Sequence, residues 1–343
     1  RLWVAGALYC VKTVSWQKGA LMSSKILVVG HRNPDNDSIA AAVGYAHLKN
    51  ALAARDGEAD AVEYVPARLG PLPVESAWIL EQNDIAEPVL IENVNPVERD
   101  GEEVKQKVIL VDHNEIGQAA PGIENADVVE IIDHHRIGDV STANPILFLN
   151  LPIGSTATIV TLQFRQTGIE LPDSIARVLL SAILTDTVIM KSPTCTQVDV
   201  DQVNFLADKL GIDAVEYGMD IFRTRGGEDK MPIAKLVEAD SKEFKVNDDV
   251  TVLIAQRETV DLPTVMAREA EIRDHMKKLV EDNGYEFALL LVTDILAEGS
   301  QFIVEGDPAR VNRVFEIECC EGGNWMPGVL SRKKQVAAPI LAS

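Results

Sequence analysis

The sequence contains few aromatic residues, few basic residues and no long apolar run. Aromatics make up 5% of its 343 residues, while Ala, Val, Ile and Leu are plentiful, which suits α/β layers of apolar strands and Ala- and Leu-rich helices. Only 32 Lys and Arg stand against 53 Asp and Glu, so this acidic chain lacks the basic face of a general nucleic-acid binder. No apolar run approaches the length of a membrane span, and we expect no membrane partner.

Cysteine is scarce as well, and the four residues present form neither a disulfide framework nor a CxxC motif. Cys10 and Cys195 stand alone, and the adjacent Cys319 and Cys320 are poorly placed to pair with one another. A reducing compartment is the simpler inference, so we expect a soluble protein of the cytoplasm.

The length of the chain is too great for one average core and comfortable for two domains. Residues 226–232, with the sequence GGEDKMP, combine glycines, charges and a proline, as linkers do. We predict an α/β domain with a parallel sheet over residues 22–225, a hinge linker over 226–232 and a smaller mixed α+β domain over 233–343. The active site would lie in the cleft between the domains. Residues 1–21 are interpreted as an extension outside the native structure, with a secretory segment as the less favoured alternative.

Three apolar runs in the first domain each end in a group of polar side chains. In an open parallel sheet the carboxyl ends of the strands face one crevice, so we expect these groups to converge in space. They are His31, Asp35 and Asp37 after Ile26–Val29, Asp112 and His113 after Val108–Val111, and Asp133, His134 and His135 after Val128–Ile132. Helical patterns occur at residues 38–54, 156–166, 173–184 and 197–210.

Imidazole and carboxylate groups at this density are typical of metal ligands. A helix cap is the alternative explanation for Asp35 or Asp37 taken alone. Burial in the core could explain one of His134 and His135, but not comfortably both. Asp186 ends an apolar helix, where the negative end of the helix dipole disfavours a carboxylate unless a cation is bound, although an exposed Asp there would cost little.

This set of side chains predicts a site for two metal ions that share carboxylates. Such ions polarise phosphoryl oxygens and lower the pKa of a bridging water, which gives a hydroxide nucleophile at neutral pH. The two imidazoles favour Mn²⁺ or Co²⁺ over Mg²⁺, which prefers oxygen ligands. Cations for an anionic substrate are available in the second domain at Lys242 and in the basic run of Arg332, Lys333 and Lys334. Solvated surface is the alternative for such a run.

Five motifs in order resemble the family II inorganic pyrophosphatases, which belong to the DHH phosphoesterase superfamily and carry a C-terminal DHHA2 domain. The motifs are GHRNPDNDS (30–38), VDHNE (111–115), DHH (133–135), LTDT (184–187) and SRKKQ (331–335). The resemblance extends from about Lys25 to Pro339. It implies that the activity is manganese-dependent hydrolysis of pyrophosphate to two phosphates.

The resemblance also implies a role for each matching residue. His31 and Asp35 would bind the first metal ion, Asp37, His134 and Asp186 the second, and Asp112 both. The residues implied to contact the substrate and take part in catalysis are His135, Lys242, Arg332 and Lys333. Two Mn²⁺ ions per subunit are implied, with Co²⁺ able to substitute, and an additional Mg²⁺ that accompanies the substrate. A homodimer and closure of the two domains around the hinge are implied as well.

Two other functions compete with this interpretation. An exopolyphosphatase or short-oligonucleotide phosphodiesterase of the same superfamily would use the same metals, but generally has a glycine-rich motif with a histidine in its second domain. Neither Gly226-Gly227 nor Gly322-Gly323 is followed by His. A non-catalytic metal- or nucleotide-binding regulatory protein could keep the fold, but it should have lost some of the ligands, and every expected ligand is present.

Overall fold

The computed structural model describes residues 24–225, 227, 229–247 and 250–343. The prediction for residues 1–21 lies outside the described residues. None of the helices in the described part of the chain combines the length and apolar character that crossing a bilayer requires. The three cysteines in that part, Cys195, Cys319 and Cys320, are free thiols.

A six-stranded parallel sheet forms the core of the first domain. The central strands of this sheet are largely buried apolar runs, as expected where helices cover a parallel sheet, whereas the strands at its two edges are more exposed. The six strands of the sheet are β1 (Ser24–Arg32), β2 (Val62–Leu69), β3 (Val89–Leu90), β6 (Lys107–Val111), β7 (Asp127–Asp133) and β8 (Leu147–Asn150). Between β3 and β6 the chain forms two short strands outside this sheet, β4 (Val97–Arg99) and β5 (Glu102–Val104). The order across the sheet is β3-β2-β1-β6-β7-β8, and β4 and β5 form a separate antiparallel hairpin.

The order of the strands reverses between β1 and β6, which are hydrogen-bonded neighbours. Ligands of open α/β sheets bind at such a switch point, in the crevice outside the carboxyl ends of the strands. β1 ends in the segment that carries His31, and β6 ends immediately before Asp112. The strand order therefore brings the first two polar groups of the sequence to one crevice.

Six helices pack against this sheet and against one another. They are α1 (Asn36–Asp56), α2 (Val74–Gln82), α3 (Thr156–Thr167), α4 (Asp173–Asp186), α5 (Gln197–Leu210) and α6 (Ala214–Thr224). α1 is almost wholly buried, and Gly44 lets α4 approach it closely, because a Cβ at this glycine would lie 2.7 Å from Leu179 Cδ2. The helical patterns expected from the sequence correspond to α1, α3, α4 and α5.

The second domain contains a five-stranded mixed sheet. Its strands are β9 (Ser241–Lys245), β10 (Thr251–Thr259), β11 (Phe287–Asp294), β12 (Gly299–Gly306) and β13 (Asn324–Pro327), in the order β13-β12-β11-β10-β9. The pair β10–β11 is parallel and the other pairs are antiparallel. The helices are α7 (Ile233–Glu238), α8 (Leu262–Met266), α9 (Glu269–Asn283), α10 (Ala309–Phe315) and α11 (Ala338–Leu341), and a π-helical turn spans Arg332–Ala337. A parallel-sheet domain followed by a mixed α+β domain is the predicted fold class.

Ion pairs between described residues join the domains. Lys191 Nζ lies 2.9 Å from Glu298 Oε1, and Arg223 Nε lies 3.0 Å from Asp261 Oδ2. A cavity of about 600 Å³ lies beside the second pair, between α6 and the chain around α8. The predicted hinge follows α6 directly, so the pair of Arg223 and Asp261 lies near the segment about which the domains would move.

Candidate metal centre

The six side chains predicted to bind metal lie together where β1, β6, β7 and α4 end. They form two groups in which the donor atoms lie within 4.8 Å of one another. The first triad is His31, Asp35 and Asp112, and the second triad is Asp37, His134 and Asp186. The structure therefore brings together residues that are up to 155 positions apart in the sequence, in a cluster suited to cations.

Asp112 connects the two triads because its two carboxylate oxygens face different histidines. Oδ2 lies 3.5 Å from His31 Nε2, and Oδ1 lies 3.3 Å from His134 Nε2. The residue has a left-handed backbone with φ 64°, which non-glycine residues rarely adopt and which often marks a functional site. Thr156 Oγ1 donates a hydrogen bond of 3.0 Å to Asp112 Oδ1. The carboxylate is thus fixed between the triads.

The histidine of each triad is oriented by its other ring nitrogen. His31 Nδ1 lies 2.8 Å from the carbonyl oxygen of Arg32, and His134 Nδ1 lies 2.9 Å from that of Ile153. A carbonyl oxygen only accepts, so each Nδ1 carries the proton and donates it. Nε2 is then the nitrogen that remains for a metal ion, and ligating histidines are commonly held in this way.

Asp37 lies at the N-terminus of α3 and accepts hydrogen bonds from it. Its Oδ1 accepts from Ser155 Oγ at 2.8 Å and from Ala157 N at 2.9 Å, while Oδ2 accepts from Thr156 N at 2.6 Å. The amides that begin a helix lack partners within it and attract negative charge. The side chain of Asp37 is 0% exposed, so α3 holds a buried carboxylate in one orientation beside His134.

Asp35 and Asp186 complete the triads from the ends of two helices. Asp35 caps α1, because its Oδ1 accepts from Ser38 N at 2.9 Å, and its Oδ2 lies 3.4 Å from His31 Nε2. Asp35 can therefore act both as a helix cap, through Oδ1, and as a candidate metal ligand, through Oδ2. Asp186 ends α4, and its Oδ2 lies 3.7 Å from His134 Nε2.

The chain beyond Asp186 makes a left-handed turn that the sequence did not predict. Val188, Ile189 and Met190 have φ of 48°, 51° and 63°, and such a conformation costs a non-glycine residue about 1–2 kcal/mol. Ile189 is buried against Gly218, where a Cβ would approach Ile189 Cγ1 to 2.8 Å. Packing thus stabilises a strained turn directly after a residue of the second triad.

The two histidines bind protons strongly in the absence of a metal. Burial lowers the pKa of His31, but Asp112 and Asp35 outweigh burial and raise it to about 11. Burial also opposes the charged form of His134, and Asp112 and Asp37 raise its pKa to about 10. Each imidazolium ion occupies a position at which a divalent cation would meet the same carboxylates.

The buried carboxylates respond in opposite directions. Burial, together with the negative charge of Asp112, raises the pKa of Asp37 to about 7. Burial raises the pKa of Asp186 well above its usual range, and the neighbouring Asp37 adds to this effect. Burial opposes ionisation of Asp112 too, but His134 and His31 hold its pKa below the ordinary carboxyl range. Carboxylates crowded in this way repel one another unless positive charge is placed among them.

The side chains of the two triads fit a pair of divalent cations. Among the described residues, Asp112 Oδ2 and His134 Nε2 are buried and form ion-pair contacts of 3.3–3.7 Å but no hydrogen bond of good geometry, and native proteins rarely leave buried polar atoms unsatisfied. Both atoms face the other donors of their triad. Carboxylate oxygens and neutral imidazoles suit Mn²⁺ and similar first-row ions, and such an ion would satisfy both atoms and the excess negative charge.

His135 is positioned by two residues that the sequence analysis did not assign to the site. Asp133 Oδ1 accepts from His135 Nδ1 at 3.0 Å, and this contact raises the pKa of the imidazole. Asp133 is buried, and its Oδ2 accepts a hydrogen bond from Asn114 Nδ2. Asn114 also donates to the carbonyl oxygen of Arg136 at 2.9 Å. The motifs VDHNE and DHH contain these residues, but their sequence does not reveal that one motif orients the other.

A cavity of about 560 Å³ lies beside the cluster. Its lining comes from the first domain: His31, Arg32, Asn33, Asp112, His113, Asn114, Glu115, Gln118, His135 and Arg136. The predicted substrate cations lie elsewhere. Lys242 is exposed on β9, with its Nζ 5.8 Å from the centroid of the Phe244 ring, and Lys333 is exposed on the π-helical turn. Arg332 Nη1 pairs with Asp240 Oδ1 at 2.8 Å, which brings this turn to the start of β9.

Comparison with known proteins identifies the family. The DHH family N-terminal domain matches residues 25–183, and the DHHA2 domain matches residues 219–343. The manganese-dependent inorganic pyrophosphatase of Bacillus subtilis strain 168 is 37% identical over 92% of this chain and 97% of that protein. The protein of the same name from Methanothrix thermoacetophila is 35% identical over 93% of this chain and 98% of that protein. This chain belongs to the family II inorganic pyrophosphatases.

A solved structure supports the same assignment. A Methanococcus jannaschii protein assigned to the family II inorganic pyrophosphatases matches with a TM-score of 0.54 at 33% identity, over 92% of this chain and 98% of that one. The family and fold class predicted from five motifs are therefore confirmed. The roles of single residues within this family II pyrophosphatase stay predictions, and the geometry described above is the basis for proposing them.

Proposed function

We propose that this chain hydrolyses inorganic pyrophosphate to two phosphates with the help of two manganese ions. The observation that carries the proposal is the pair of triads connected by Asp112, whose two oxygens face His31 and His134. In the described part of the chain, neither Asp112 Oδ2 nor His134 Nε2 has a hydrogen bond of good geometry. Relatives that bear the name manganese-dependent inorganic pyrophosphatase match 97–98% of their lengths at 35–37% identity. Geometry and relationship therefore point to the same chemistry.

The two triads would bind the metal ions separately. His31 and Asp35 would hold one Mn²⁺, and Asp37, His134 and Asp186 would hold the other, with Asp112 contributing one oxygen to each. We propose that Co²⁺ can replace Mn²⁺, because both accept mixed imidazole and carboxylate ligands, and that an additional Mg²⁺ accompanies the substrate, because that ion prefers phosphate oxygens.

The side chains around the triads would handle the substrate. When bound, two divalent ions would polarise phosphoryl oxygens and lower the pKa of a nearby water molecule. Asp133 fixes His135 through Nδ1, so Nε2 is the nitrogen that would donate a hydrogen bond or a proton to the departing phosphate. Lys242, Arg332 and Lys333 would neutralise the charge of the two phosphate groups.

We propose that substrate binding brings these second-domain cations to the cluster by domain closure. The domains would be residues 22–225 and 233–343, with the hinge at 226–232. Lys242 and Arg332 are grouped through Asp240, so one rigid-body movement would deliver them together. Closure would exclude water and assemble the complete site only around pyrophosphate, and the cleft between the domains would then hold the reaction.

We further propose a cytoplasmic homodimer formed through the first domain. β8 is the edge strand of the parallel sheet, and it exposes the apolar side chains of Leu147 and Phe148, with Ile137 exposed nearby. An uncovered edge with apolar side chains invites pairing with another strand. The free thiols of Cys195, Cys319 and Cys320 are compatible with a reducing compartment. Sedimentation of the full chain would measure its oligomeric state.

The test of the proposed activity is phosphate release by metal-stripped protein. Pyrophosphate, tripolyphosphate and a dinucleotide would be supplied in parallel, with Mn²⁺, Co²⁺ or Mg²⁺ added back. We expect hydrolysis of pyrophosphate, fastest with Mn²⁺ or Co²⁺, and little reaction of the other substrates. Preference for tripolyphosphate or the dinucleotide would favour the exopolyphosphatase or phosphodiesterase alternative. Failure of every metal to restore hydrolysis would favour a regulatory protein.

A further inference from the structure

A buried carboxylate outside the two triads accepts four hydrogen bonds. The side chain belongs to Asp199 in the first turn of α5, and the residue is 0% exposed. Its Oδ2 accepts from Gly154 N at 2.8 Å, from Thr196 N at 2.8 Å and from Thr196 Oγ1 at 2.7 Å, while Oδ1 accepts from Thr158 Oγ1 at 2.7 Å. The bond from Thr196 N to Asp199 is one half of the capping box of α5, in which the Thr196 side chain accepts in turn from the Asp199 backbone. The bonds to Gly154 and Thr158 lead to a different part of the fold.

Gly154 and Thr158 flank the segment that supports the second triad. Between them lie Ser155, Thr156 and Ala157, which donate three hydrogen bonds to Asp37. The residue before Gly154 is Ile153, whose carbonyl oxygen accepts the Nδ1 proton of His134. Thr156 additionally donates to Asp112. We call residues 153–158 the support segment, because it accepts a hydrogen bond from His134 and donates hydrogen bonds to Asp37 and Asp112, three of the proposed metal ligands.

The support segment has little freedom to settle elsewhere. A Cβ at Gly154 would lie 2.6 Å from Thr187 Cγ2 and 3.0 Å from Asp199 Oδ2, so the backbone is packed directly between these two side chains. Thr187 follows Asp186 immediately. Asp199 therefore holds one side of the segment, while the end of α4 confines the other.

We propose that Asp199 is a positioning residue for the second triad, which acts through the support segment rather than by touching metal or substrate. The inference rests on the proposed function of Asp37, His134 and Asp112 as metal ligands. Asp199 accepts hydrogen bonds at both ends of the segment, and the amides and hydroxyls between those ends fix the ligands. Supporting groups of this kind typically alter metal affinity when they are removed.

The first experiment measures Mn²⁺ binding to metal-stripped full-length protein by titration calorimetry and by electron paramagnetic resonance. In Asp199→Asn an amide nitrogen replaces one acceptor, so part of the bonding to Gly154, Thr158 and Thr196 is lost. We expect the dissociation constant of the more tightly bound Mn²⁺ to rise roughly 10- to 100-fold, with a changed resonance spectrum. Asp201→Asn is the matched control, because this exposed carboxylate on the same helix accepts only from Gln197 among the described contacts, and it should leave binding unchanged.

A second pair of variants keeps the test valid if Asp199→Asn does not fold. Thr158→Val removes the hydroxyl that reaches Asp199 but retains the shape of the side chain, and Thr158→Ser retains the hydroxyl. We expect weaker Mn²⁺ binding of roughly tenfold in Thr158→Val and recovery in Thr158→Ser. Thr196→Val disturbs the cap of α5 and removes one donor to Asp199, but leaves the bonds from Gly154 and Thr158 to Asp199 in place. It should lower thermal stability and weaken Mn²⁺ binding less than Thr158→Val does.

The outcomes separate this inference from the proposed function. If wild-type protein binds Mn²⁺ and both Asp199→Asn and Thr158→Val bind it equally well, Asp199 has no positioning role and the inference is overturned. Equal losses of affinity in Thr158→Val and Thr196→Val would also overturn it, because general destabilisation would then explain both. If wild-type protein binds no Mn²⁺, the metal centre itself is refuted.

Discussion

The two triads use similar side chains but are built into the protein differently. Asp35 of the first triad is 53% exposed and has one backbone contact, at the start of its own helix. Asp37 of the second triad is 0% exposed and is fixed by three donors from α3. Ligands that are already fixed lose less conformational freedom on binding. The second triad is therefore expected to bind its ion more tightly, and the first to exchange its ion more readily.

The largest effect is expected from the residue that the triads share. Asp112→Asn removes a negative charge from both and places an amide nitrogen toward His31 or His134. We expect Mn²⁺ binding to fall at both positions and pyrophosphate hydrolysis to fall by several orders of magnitude. Metal analysis after gel filtration measures the first effect and phosphate release the second. Retention of both ions by Asp112→Asn would show that the carboxylate is not shared.

The second largest effect is expected from pH, because the Mn²⁺ affinities of the two triads should depend on pH to different degrees. Metal binding requires neutral imidazole and ionised carboxylate. In the first triad, His31, with a pKa of about 11, must lose a proton. In the second, His134 with a pKa of about 10 and Asp37 with a pKa of about 7 must lose protons near pH 6. Asp186, whose pKa burial raises well above its usual range, must lose its proton as well. Mn²⁺ affinity should therefore rise as pH rises.

The steepness of this rise is the quantity to measure. Each released proton contributes roughly a tenfold change in affinity per pH unit. Between pH 6 and 7 we expect a rise of about tenfold per unit for the weaker Mn²⁺ and a steeper rise for the tighter one, because Asp37 and Asp186 release protons as well. Calorimetry in two buffers of different ionisation enthalpy counts the protons directly. An affinity that is independent of pH would contradict the assigned protonation.

Single substitutions of the two histidines sharpen the comparison further. A glutamine in place of His31 or His134 lacks the Nδ1 atom that anchors the native ring to a backbone carbonyl oxygen. His134→Gln removes a ligand from the more rigid triad, so it should weaken the tighter Mn²⁺, whereas His31→Gln should affect the weaker ion. We expect the two variants to differ by about tenfold in the affinity of the tighter ion. Identical losses in both variants would mean that the triads bind as one unit.

The smallest effect on metal binding is expected from the second domain. Lys242 is exposed on β9 and its described contact is with Phe244. Lys242→Ala should leave both Mn²⁺ affinities unchanged and lower kcat/KM for pyrophosphate about 10- to 100-fold, since a charged hydrogen bond to phosphate is lost. Lys245→Ala, at another exposed lysine of the same strand, is the control. Unchanged turnover in Lys242→Ala would exclude its assigned role.

The sequence predicted the parts of the centre that depend on local pattern. Apolar runs that end in His31, Asp112 and His134 predict convergence, because parallel strands present their carboxyl ends to one crevice. Asp35 was correctly expected to be capable of capping a helix, and it does so with the oxygen that does not face His31. Family membership followed from five motifs in the expected order.

The parts that the sequence did not predict depend on contacts between distant segments. Asp37 accepts hydrogen bonds from residues 118 to 120 positions away, and no periodicity reveals which helix will supply them. Asp199 reaches Gly154 across 45 positions. The left-handed turn after Asp186 consists of residues that ordinarily avoid it, so propensity points away from it. Tertiary packing decides each of these features.

The hydrogen bonds between α3 and Asp37 also provide a built-in reporter of motion. The amide hydrogens of Thr156 and Ala157 are bonded to a side chain rather than to a preceding turn of helix. The Thr156 amide can exchange with deuterated solvent only when Asp37 leaves it, so its exchange rate measures how often the second triad opens. The Ala157 amide also donates to Ser155 Oγ at 3.1 Å and therefore reports on Asp37 less directly. An ion that holds Asp37 in place should slow exchange at these two positions while the middle of α3 is unaffected, which makes occupancy visible without any turnover.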